Sequence, residues 1–547
     1  MTVPFGADND KKRLELQDEE LAAGSLSSNP EGREPTESEK RTLRRVSDSI
    51  PKVAYVVAVV ELCERFTYYG ASALFQNYVS THHGLDQPRK TATALSTFFI
   101  FFSYVTAIFG AVVADQYLGR YKTILVFSGI YSVGLLILWS TALAESLGNQ
   151  GKLAAFAVSL TIIGLGTGGI KSNVAPMIGD QYKHRPLVTR TDSKTGERVI
   201  VDPAITYNRI YILYYGCIEI GSLSSLATPF MERDYGFWQP FLMTFLVFCV
   251  AVAVFVWGRR YYVIEPPRGS VIVSCFKAVG IMIANRSLDA PKPSRRAAQG
   301  ITTSVPWDDK FVDEVKQTLN ACKLFAFYPV IWICFSQLSS NLVSQAGQMK
   351  RGDVPNDFMR SLETVTILLF LPIIDRVIFP VLRRHGIILR PIKRITIGFA
   401  SIGLGVAYAA IVQHLIYNAG PCYDKPLACP AAKQDGKILP NDVHIAVQTP
   451  LYVFFGLASL FINTTGPEYA YTHSPPGLKS FVQSLYLLTV AVGSAIALSL
   501  VPVTGDPDVL WMYTGVAVAV FVIGTAMYIL LRHLDAEEDK LYESKDY

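Results

Sequence analysis

Apolar segments of about 20 residues recur along most of this chain, and they constrain its fold more than any other feature. An α-helix of about that length spans the hydrocarbon core of a bilayer, which is roughly 30 Å thick. The composition agrees, because 50% of the 547 residues are hydrophobic and only 17% are charged. We predict about twelve transmembrane helices, at residues 53–79, 92–114, 122–144, 153–177, 207–231, 239–257, 321–347, 363–383, 394–417, 446–465, 480–501 and 510–531.

Charged residues concentrate outside these spans. Residues 1–52 are polar and lack the apolar core of a cleavable signal sequence, so they are predicted to form a disordered tail. The end of this tail is basic, as are later loops on the same side, and the positive-inside rule places it in the cytoplasm. An even number of spans puts the C-terminal tail, residues 533–547, there too. This loop bias explains the net charge of +5, so nucleic-acid binding has little support.

A polar segment divides the spans into two sets of six. Residues 53–257 and 321–532 are each predicted to form a six-helix bundle. The central segment between them, residues 258–320, contains two stretches, 269–287 and 307–322, that are predicted as amphipathic helices lying over the bundle or the membrane. The predicted fold class is therefore an all-α membrane protein. We expect a monomer in contact with lipid. The expected location is the plasma membrane, because the sequence carries no targeting signal for another membrane.

The first span carries ionisable groups on one face. In its stretch ELCERFTYYG, Glu61, Glu64, Arg65 and Tyr68 follow helical spacing, and Ser72 continues the same face. Glu61 and Arg65 are placed to form an ion pair, which leaves Glu64 in need of another partner or a proton. Charges at the membrane centre are costly, so this face is predicted to line a cavity or a bundle interior. It is either a fixed ion-pair network or a proton-binding site.

A short turn between the second and third spans reads GAVVADQYLGRYKTI. Gly119 permits a tight reversal, and Asp115 is placed to pair with Arg120 or with a neighbouring helix end. The stretch is either an ordinary basic turn or a gating loop. Its spacing resembles the loop motif of the major facilitator superfamily, and this resemblance implies the major facilitator fold, with twelve transmembrane helices in two six-helix bundles around a central cavity.

Several motifs resemble one family within that superfamily. ELCERFTYYG is similar to the ExxERFxYYG motif of the proton-dependent oligopeptide transporter (POT/PTR) family. GTGGIKSNVAPMIGDQY and GPEYAYTHSPPGLKS resemble its fourth-span and tenth-span sequences, and the polar tail resembles fungal members. The resemblance implies a proton-coupled symporter of di- and tripeptides that works by alternating access. It implies no enzyme activity and no cofactor or metal, with the proton as the coupling ion.

The resemblance also assigns roles to individual residues. It gives proton coupling to Glu61, Glu64 and Arg65. Lys171 matches a family lysine that faces the peptide carboxylate, although a lysine late in this span is also placed to snorkel to the interface. The residues that the resemblance implies as aromatic walls of the peptide site are Tyr68, Tyr69 and Tyr104.

The remaining candidate positions lie in the fifth, seventh and tenth spans. Gln337 and Asn341 share a helix face, where they are placed either to bind substrate amides or to join helices. Ser336 and Ser459 stand where the family often has an acid, and Glu219 stands where it usually has asparagine. The glutamate absent at Ser459 is the one usually assigned to the peptide amino terminus. A free ammonium in such a site requires an anion, which a serine cannot supply.

These departures keep two alternative functions open. One is a transporter of a peptide-derived or other modified small molecule whose amino end is blocked, and the other is a receptor that binds without transporting. An enzyme is disfavoured, because no nucleophile with a nearby histidine and no metal-binding spacing lies in or beside a span. In the predicted outer loop 418–445, Cys422 and Cys429 are either disulfide-bonded or two free thiols.

Overall fold

The computed structural model describes residues 33–543 except for 145–146, 183–185, 192–195, 268, 270, 302–304, 386–388 and 435–436. A short helix, α1 (Glu37–Thr42), precedes the first bundle. The helices of the first bundle are α2 (Lys52–Ser72), α3 (Phe75–Ser80), α4 (Arg89–Val113), α5 (Arg120–Leu143), α6 (Gly148–Asp180), α7 (Pro203–Ser222), α8 (Ser224–Tyr235) and α9 (Trp238–Trp257). Helix α2 follows Pro51 directly.

The central segment and the second bundle contain the remaining helices. The central segment has α10 (Val271–Ala284), α11 (Pro293–Ala298) and α12 (Asp309–Ala321). The second bundle has α13 (Pro329–Leu338), α14 (Asn341–Gly347), α15 (Ser361–Ile373), α16 (Phe379–Arg384), α17 (Pro391–Asn418), α18 (Thr449–His473), α19 (Lys479–Ser499) and α20 (Val509–Glu543). Short π-helical turns continue α4 through Ala114–Leu118 and join α15 to α16 through Ile374–Ile378.

The seventh predicted span, 321–347, is not the straight helix that hydropathy suggests. The helical segments Asp309–Phe327 and Pro329–Gly347 meet at an angle of 47°. Proline has no amide hydrogen and begins a helix more readily than it continues one, which explains the bend at Pro329. A second break separates α13 from α14 at Ser340, whose φ of −133° and ψ of −93° are not helical.

The span count agrees with the prediction of about twelve. In the described residues, ten helices are long and apolar enough to cross a membrane, and the bent pair raises the number to eleven. Helix α2 is the remaining candidate. It has 21 residues, and the charges of Glu61, Glu64 and Arg65 distinguish it from the apolar helices.

Each bundle has its own hydrophobic core, and small residues allow its helices to pack closely. Helix α6 shows this most clearly. A methyl group built on Gly168 would lie 2.1 Å from the hydroxyl oxygen of Thr106 in α4, and one on Gly169 would lie 2.2 Å from the ring of Phe127 in α5. Only glycine permits these approaches, as in other membrane helix pairs.

The central segment packs against the second bundle. The two amphipathic helices predicted there are present as α10 and α12, and their apolar residues form a small core with α19. Phe276 in α10 meets Phe481 in α19 edge to face, with 5.3 Å between ring centroids. The sequence allowed these helices to lie over the bundle or over the membrane. Their described contacts are with the bundle.

The prediction that residues 1–52 are disordered is wrong for residues 33–51, and the first 32 residues lie outside the described part. Helix α1 is capped by Thr36 and Glu39 in a reciprocal pair. Strand β1 (Arg45–Val46) then joins an antiparallel pair in the loop after α6, β2 (Val188–Thr191) and β3 (Arg198–Val201). We call the end of the bundles beside this sheet the tail end and the opposite end the far end.

At the far end, the loop between α17 and α18 carries the two candidate cysteines. Cys422 and Cys429 form a disulfide with 5.5 Å between their Cα atoms, which settles the alternative that the sequence left open. The other strands lie in or beside this loop: β4 (Met349–Lys350) pairs with β7 (Asn441–His444), and β5 (Lys433–Gln434) pairs with β6 (Lys437–Ile438).

Candidate functional site

The ionisable residues of α2 form a buried cluster inside the first bundle. Glu61, Glu64 and Arg65 are only 1%, 1% and 3% exposed. The predicted ion pair is present, with Arg65 Nε 3.3 Å from Glu61 Oε1. The Arg65 guanidinium also contacts the Glu64 carboxylate directly. One cation is therefore shared by two acids.

Neighbouring helices supply a hydrogen bond to each acid. The Tyr214 hydroxyl in α7 donates to Glu61 Oε1 at 3.1 Å, and the Thr167 hydroxyl in α6 donates to Glu64 Oε1 at 2.8 Å. Of the two predicted alternatives for Glu64, a further partner or a proton, the structure shows a partner, because α6 brings Thr167 to it. Of the two acids, Glu61 is the one with a buried oxygen, Oε2, that has no hydrogen-bond partner among the described residues.

Lys171 lies against the aromatic residues of the site rather than reaching for the membrane surface. Its Nζ is 3.7 Å from the ring centre of Tyr104 and 6.0 Å from that of Tyr68. Both are within cation–π range, so two rings surround the ammonium. Tyr68 stacks on Phe99 at 5.5 Å and meets Tyr69 edge to face at 5.3 Å. Tyr68 therefore contacts Tyr69 directly and shares the Lys171 ammonium with Tyr104.

In the seventh span, the predicted amide residues take part in helix contacts. Gln337 Nε2 donates to the Ile333 carbonyl at 3.0 Å, and Asn341 Nδ2 donates to Gln337 Oε1 at 2.7 Å. The Thr93 hydroxyl of the first bundle donates to Asn341 Oδ1 at 3.2 Å. Ser336 donates to the carbonyl of its own helix at Ile333, at 2.7 Å. Of the two predicted roles for Gln337 and Asn341, helix joining is the one seen in this structure.

The tenth span contains a polar chain that starts at Ser459 in α18. Asn463 Nδ2 donates to the Ser459 hydroxyl at 2.9 Å, and the Tyr486 hydroxyl donates to Asn463 Oδ1 at 3.3 Å. Close packing brings α15 to the same place: a methyl group on Gly456 would lie 3.1 Å from the Glu363 carbonyl oxygen. The Glu363 side chain lies near enough to interact with the Ser459 hydroxyl. A carboxyl group thus stands beside the serine that interrupts the family pattern.

Glu363 and its neighbour Arg360 are residues that sequence reasoning missed. The predicted eighth span starts at residue 363, so Glu363 stands at its edge and Arg360 lies outside it. Two opposite charges three residues apart at the start of an apolar run were the available signal. Both lie within electrostatic range of the first bundle, since the charge of Arg360 influences Tyr68 and that of Glu219 in α7 influences Glu363. The two bundles therefore face one shared space, which we call the central site.

The predicted gating turn is tied to other parts of the tail end. Gly119 has a φ of +74°, which favours glycine. Arg120 pairs with Asp180 at the end of α6 rather than with Asp115. The Asp115 carbonyl oxygen accepts a hydrogen bond from the Gly269 amide at 3.0 Å. The ion pair with a helix end, which the sequence allowed for Asp115, is thus made by Arg120 in the described residues.

Hydrogen bonds that join the two bundles gather at the far end. Asn77 and Asn356 exchange two amide hydrogen bonds, at 2.9 and 2.8 Å. Gln76 Nε2 donates to the Ser344 hydroxyl at 2.9 Å. These contacts join α3 of the first bundle to α14 and to the loop before α15 in the second bundle. The far end is closed in this structure.

Comparison with known proteins adds a family to this geometry. The sequence model PTR2, described as the POT family, matches residues 121–517. Peptide transporter PTR_B of Candidozyma auris is 42% identical over 97% of this chain and 92% of its own length. Peptide transporter PTR2 of Saccharomyces cerevisiae is 39% identical over 95% and 87%, respectively.

Solved structures agree on the fold. An auto-inhibited POT family peptide transporter superposes with a TM-score of 0.69 at 22% identity, covering 88% of this chain and 97% of that one. The POT family transporter PepTSo gives a TM-score of 0.66 at 23% identity, covering 91% and 99%. These similarities confirm the predicted two-bundle fold of the major facilitator type.

Proposed function

Because this chain belongs to the POT family, we propose that it is a proton-coupled symporter of di- and tripeptides that works by alternating access. One observation carries the proposal: the central site has a cation on one bundle and an anion on the other. Lys171 belongs to the first bundle and Glu363 to the second. A zwitterionic peptide has the complementary pair of charged ends.

Each end of such a peptide finds suitable chemistry. The Lys171 ammonium, held between Tyr104 and Tyr68, attracts the carboxylate. The Glu363 carboxylate, beside the Ser459 hydroxyl, attracts the ammonium. Tyrosine walls accept side chains of different shapes, because each ring offers an apolar face and a polar tip. A substrate recognised mainly by its backbone ends suits a site of this kind.

The buried α2 cluster is the proposed proton site. Two carboxylates share the single guanidinium of Arg65, so the cluster holds one negative charge in excess when both acids are ionised. Burial makes an excess charge costly and favours uptake of a proton. Glu61 Oε2, buried without a hydrogen-bond partner among the described residues, offers a place for it. Protons are thus the proposed coupling ion, and no other cofactor is proposed.

The basic residues at the tail end support a cytoplasmic position for that end, since positive loops remain inside. The closed far end then faces outward, and the proposed transport cycle exchanges this seal for one at the tail end. We propose the plasma membrane as the location and a monomer as the working unit. Several relatives of this chain are named peptide transporters, which supports the substrate class.

The second candidate is a transporter of a peptide-derived molecule with a blocked amino end. The specific observation in its favour is Ser459, which cannot pair with an ammonium as a carboxylate does. Glu363 weakens this alternative, because it places a carboxylate beside the same serine.

Transport assays with the purified chain in proteoliposomes test both candidates. Labelled dialanine is offered with an inward proton gradient, and N-acetyl-dialanine is compared at equal concentration. We expect gradient-dependent uptake of dialanine that a protonophore abolishes and that other dipeptides inhibit. Preferred uptake of the acetylated compound would favour the second candidate. Saturable binding without uptake of either compound would instead identify a receptor and contradict transport.

A further inference from the structure

Two arginines precede a serine in the segment between α1 and the first span. The sequence there reads TLRRVSDSIP, so Arg44 and Arg45 lie three and two residues before Ser47. The two arginine side chains are 59% and 50% exposed. A serine with this spacing of exposed arginines matches the acidic substrate groove of an arginine-directed protein kinase, because such enzymes select substrates by charge pattern.

The backbone around this serine is lightly held. Strand β1 is the edge strand of its sheet, and it is joined to β3 by hydrogen bonds from the Ile200 amide to the Arg44 carbonyl and from the Asp202 amide to the Val46 carbonyl, at 3.0 and 2.9 Å. The Asp48 amide also donates to the Thr206 hydroxyl at 2.8 Å, and Arg45 pairs with Asp202 at 3.2 Å. These few contacts at the edge of a small sheet open at smaller cost than a helix in a bundle. The segment is therefore able to leave the sheet and enter an active site.

When the segment is paired in the sheet, the Ser47 hydroxyl lies beside a cationic side chain. Arg209 in α7 donates from its guanidinium to the Ser47 hydroxyl at 3.0 Å. The neighbouring carboxylate of Asp48 is engaged elsewhere, since it accepts hydrogen bonds from the Tyr182 hydroxyl at 3.1 Å and from the Ser49 amide at 2.8 Å. A phosphate on Ser47 would therefore meet a guanidinium directly.

From this arrangement we propose that Ser47 is a phosphorylation site whose phosphate is held by Arg209. The Ser47 oxygen attacks the γ-phosphorus of ATP, so an O–P bond forms while the bond to the ADP oxygen breaks, and the hydroxyl proton passes to a base of the kinase. The guanidinium, which now donates to a neutral hydroxyl, would then face a dianionic acceptor with three oxygens, so a hydrogen bond becomes an ion pair. Phosphorylation thus fastens the tail segment to α7.

The proposal requires the tail end to face the cytoplasm, but it does not depend on the transported substrate. The full chain in lipid nanodiscs is incubated with ATP and an arginine-directed serine kinase, and incorporation is located by mass spectrometry. Wild type and Ser49→Ala are expected to be phosphorylated, because Ser49 has no arginines at this spacing. Ser47→Ala is expected to lose the modification. Equal incorporation into Ser47→Ala and wild type would overturn the assignment.

Hydrogen exchange of the Ile200 and Asp202 amides tests the effect of the phosphate. Exposed ion pairs are weak, so phosphorylation is expected to slow exchange by about two- to fivefold. In Arg209→Gln the serine is still phosphorylated, and the slowing is expected to disappear. Faster exchange after phosphorylation, or the same slowing in Arg209→Gln, would overturn the proposed role of Arg209.

Discussion

Replacing Glu363 by glutamine tests the anionic end of the central site. Glutamine keeps the size of the side chain and its capacity to hydrogen-bond with Ser459, and it removes the charge. A hydrogen bond between an ammonium and a carboxylate contributes about 1.5–3 kcal/mol. Since about 1.4 kcal/mol corresponds to a factor of ten, we expect kcat/KM for dialanine to fall roughly tenfold to a hundredfold.

The measurement is the initial rate of labelled dialanine uptake into proteoliposomes over a range of concentrations, with N-acetyl-dialanine as the reference substrate. Acetylation removes the ammonium, so the Glu363→Gln substitution is expected to leave the rate for the reference compound nearly unchanged. Glu468→Gln is the matched control, because Glu468 lies exposed in α18 and the charge change is the same. Equal losses for both substrates, or normal dialanine uptake by Glu363→Gln, would refute the reasoning.

Three further predictions concern coupling, packing and the disulfide. Glu64→Gln is expected to transport without responding to the proton gradient in the same assay, and an unchanged response would contradict its coupling role. Gly169→Ala is expected to lower the thermal unfolding midpoint, because overpacking costs about 1–3 kcal/mol of stability. Gly129→Ala is the control and is expected to leave the midpoint unchanged, since a methyl group there meets nothing within 4 Å. Equal midpoints for the two variants would count against the packing argument. Without reductant, alkylation of the denatured chain is expected to label six cysteines rather than eight, and labelling of eight would exclude the bond between Cys422 and Cys429.

The transmembrane architecture was largely predictable, because a bilayer imposes one length and one composition on every spanning helix. The failure at the seventh span has the same origin. Hydropathy measures apolar length and does not respond to a change of direction. The segment was therefore predicted as one continuous helix, without the bend at Pro329 and the break at Ser340. Proline within an apolar segment was the available warning.

The polar face of α2 was predictable for a different reason, since helical spacing determines which side chains of one helix lie together. The partner of each side chain was not. Thr167 satisfies Glu64 only because α6 packs beside α2, and Glu363 reaches Ser459 only because Gly456 lets α15 approach α18. Contacts between helices distant in sequence depend on packing that a single sequence does not display.

The N-terminal segment was misjudged because composition describes a segment in isolation. Residues 33–51 contain too few apolar side chains to fold alone, which favours disorder. Their strand partner β3 lies more than 150 residues later, and Arg45 of β1 pairs with Asp202 just beyond it. Thr36 and Glu39 have the spacing of a helix-capping pair, a local signal to which an argument from composition does not respond.

The hydrogen bonds that close the far end and the contacts that the central site offers to a substrate have comparable energies. This comparison bears on how one substrate molecule can drive the cycle. The paired amides of Asn77 and Asn356 are neutral, and each such hydrogen bond contributes only about 0.5–1.5 kcal/mol net, because water replaces it on opening. A peptide that bridges Lys171 and Glu363 gains two charge-assisted contacts of about 1.5–3 kcal/mol each. Those contacts stabilise a state only if the two bundles hold their charges at the right separation, so the substrate acts on the same equilibrium as the seal. The seal also contains an ion pair between the bundles, Arg89 with Asp506 at 3.5 Å. Because both side chains are partly exposed, water compensates the separated charges on opening, so the amide and ion-pair contacts together remain small enough for the substrate contacts to exchange against them.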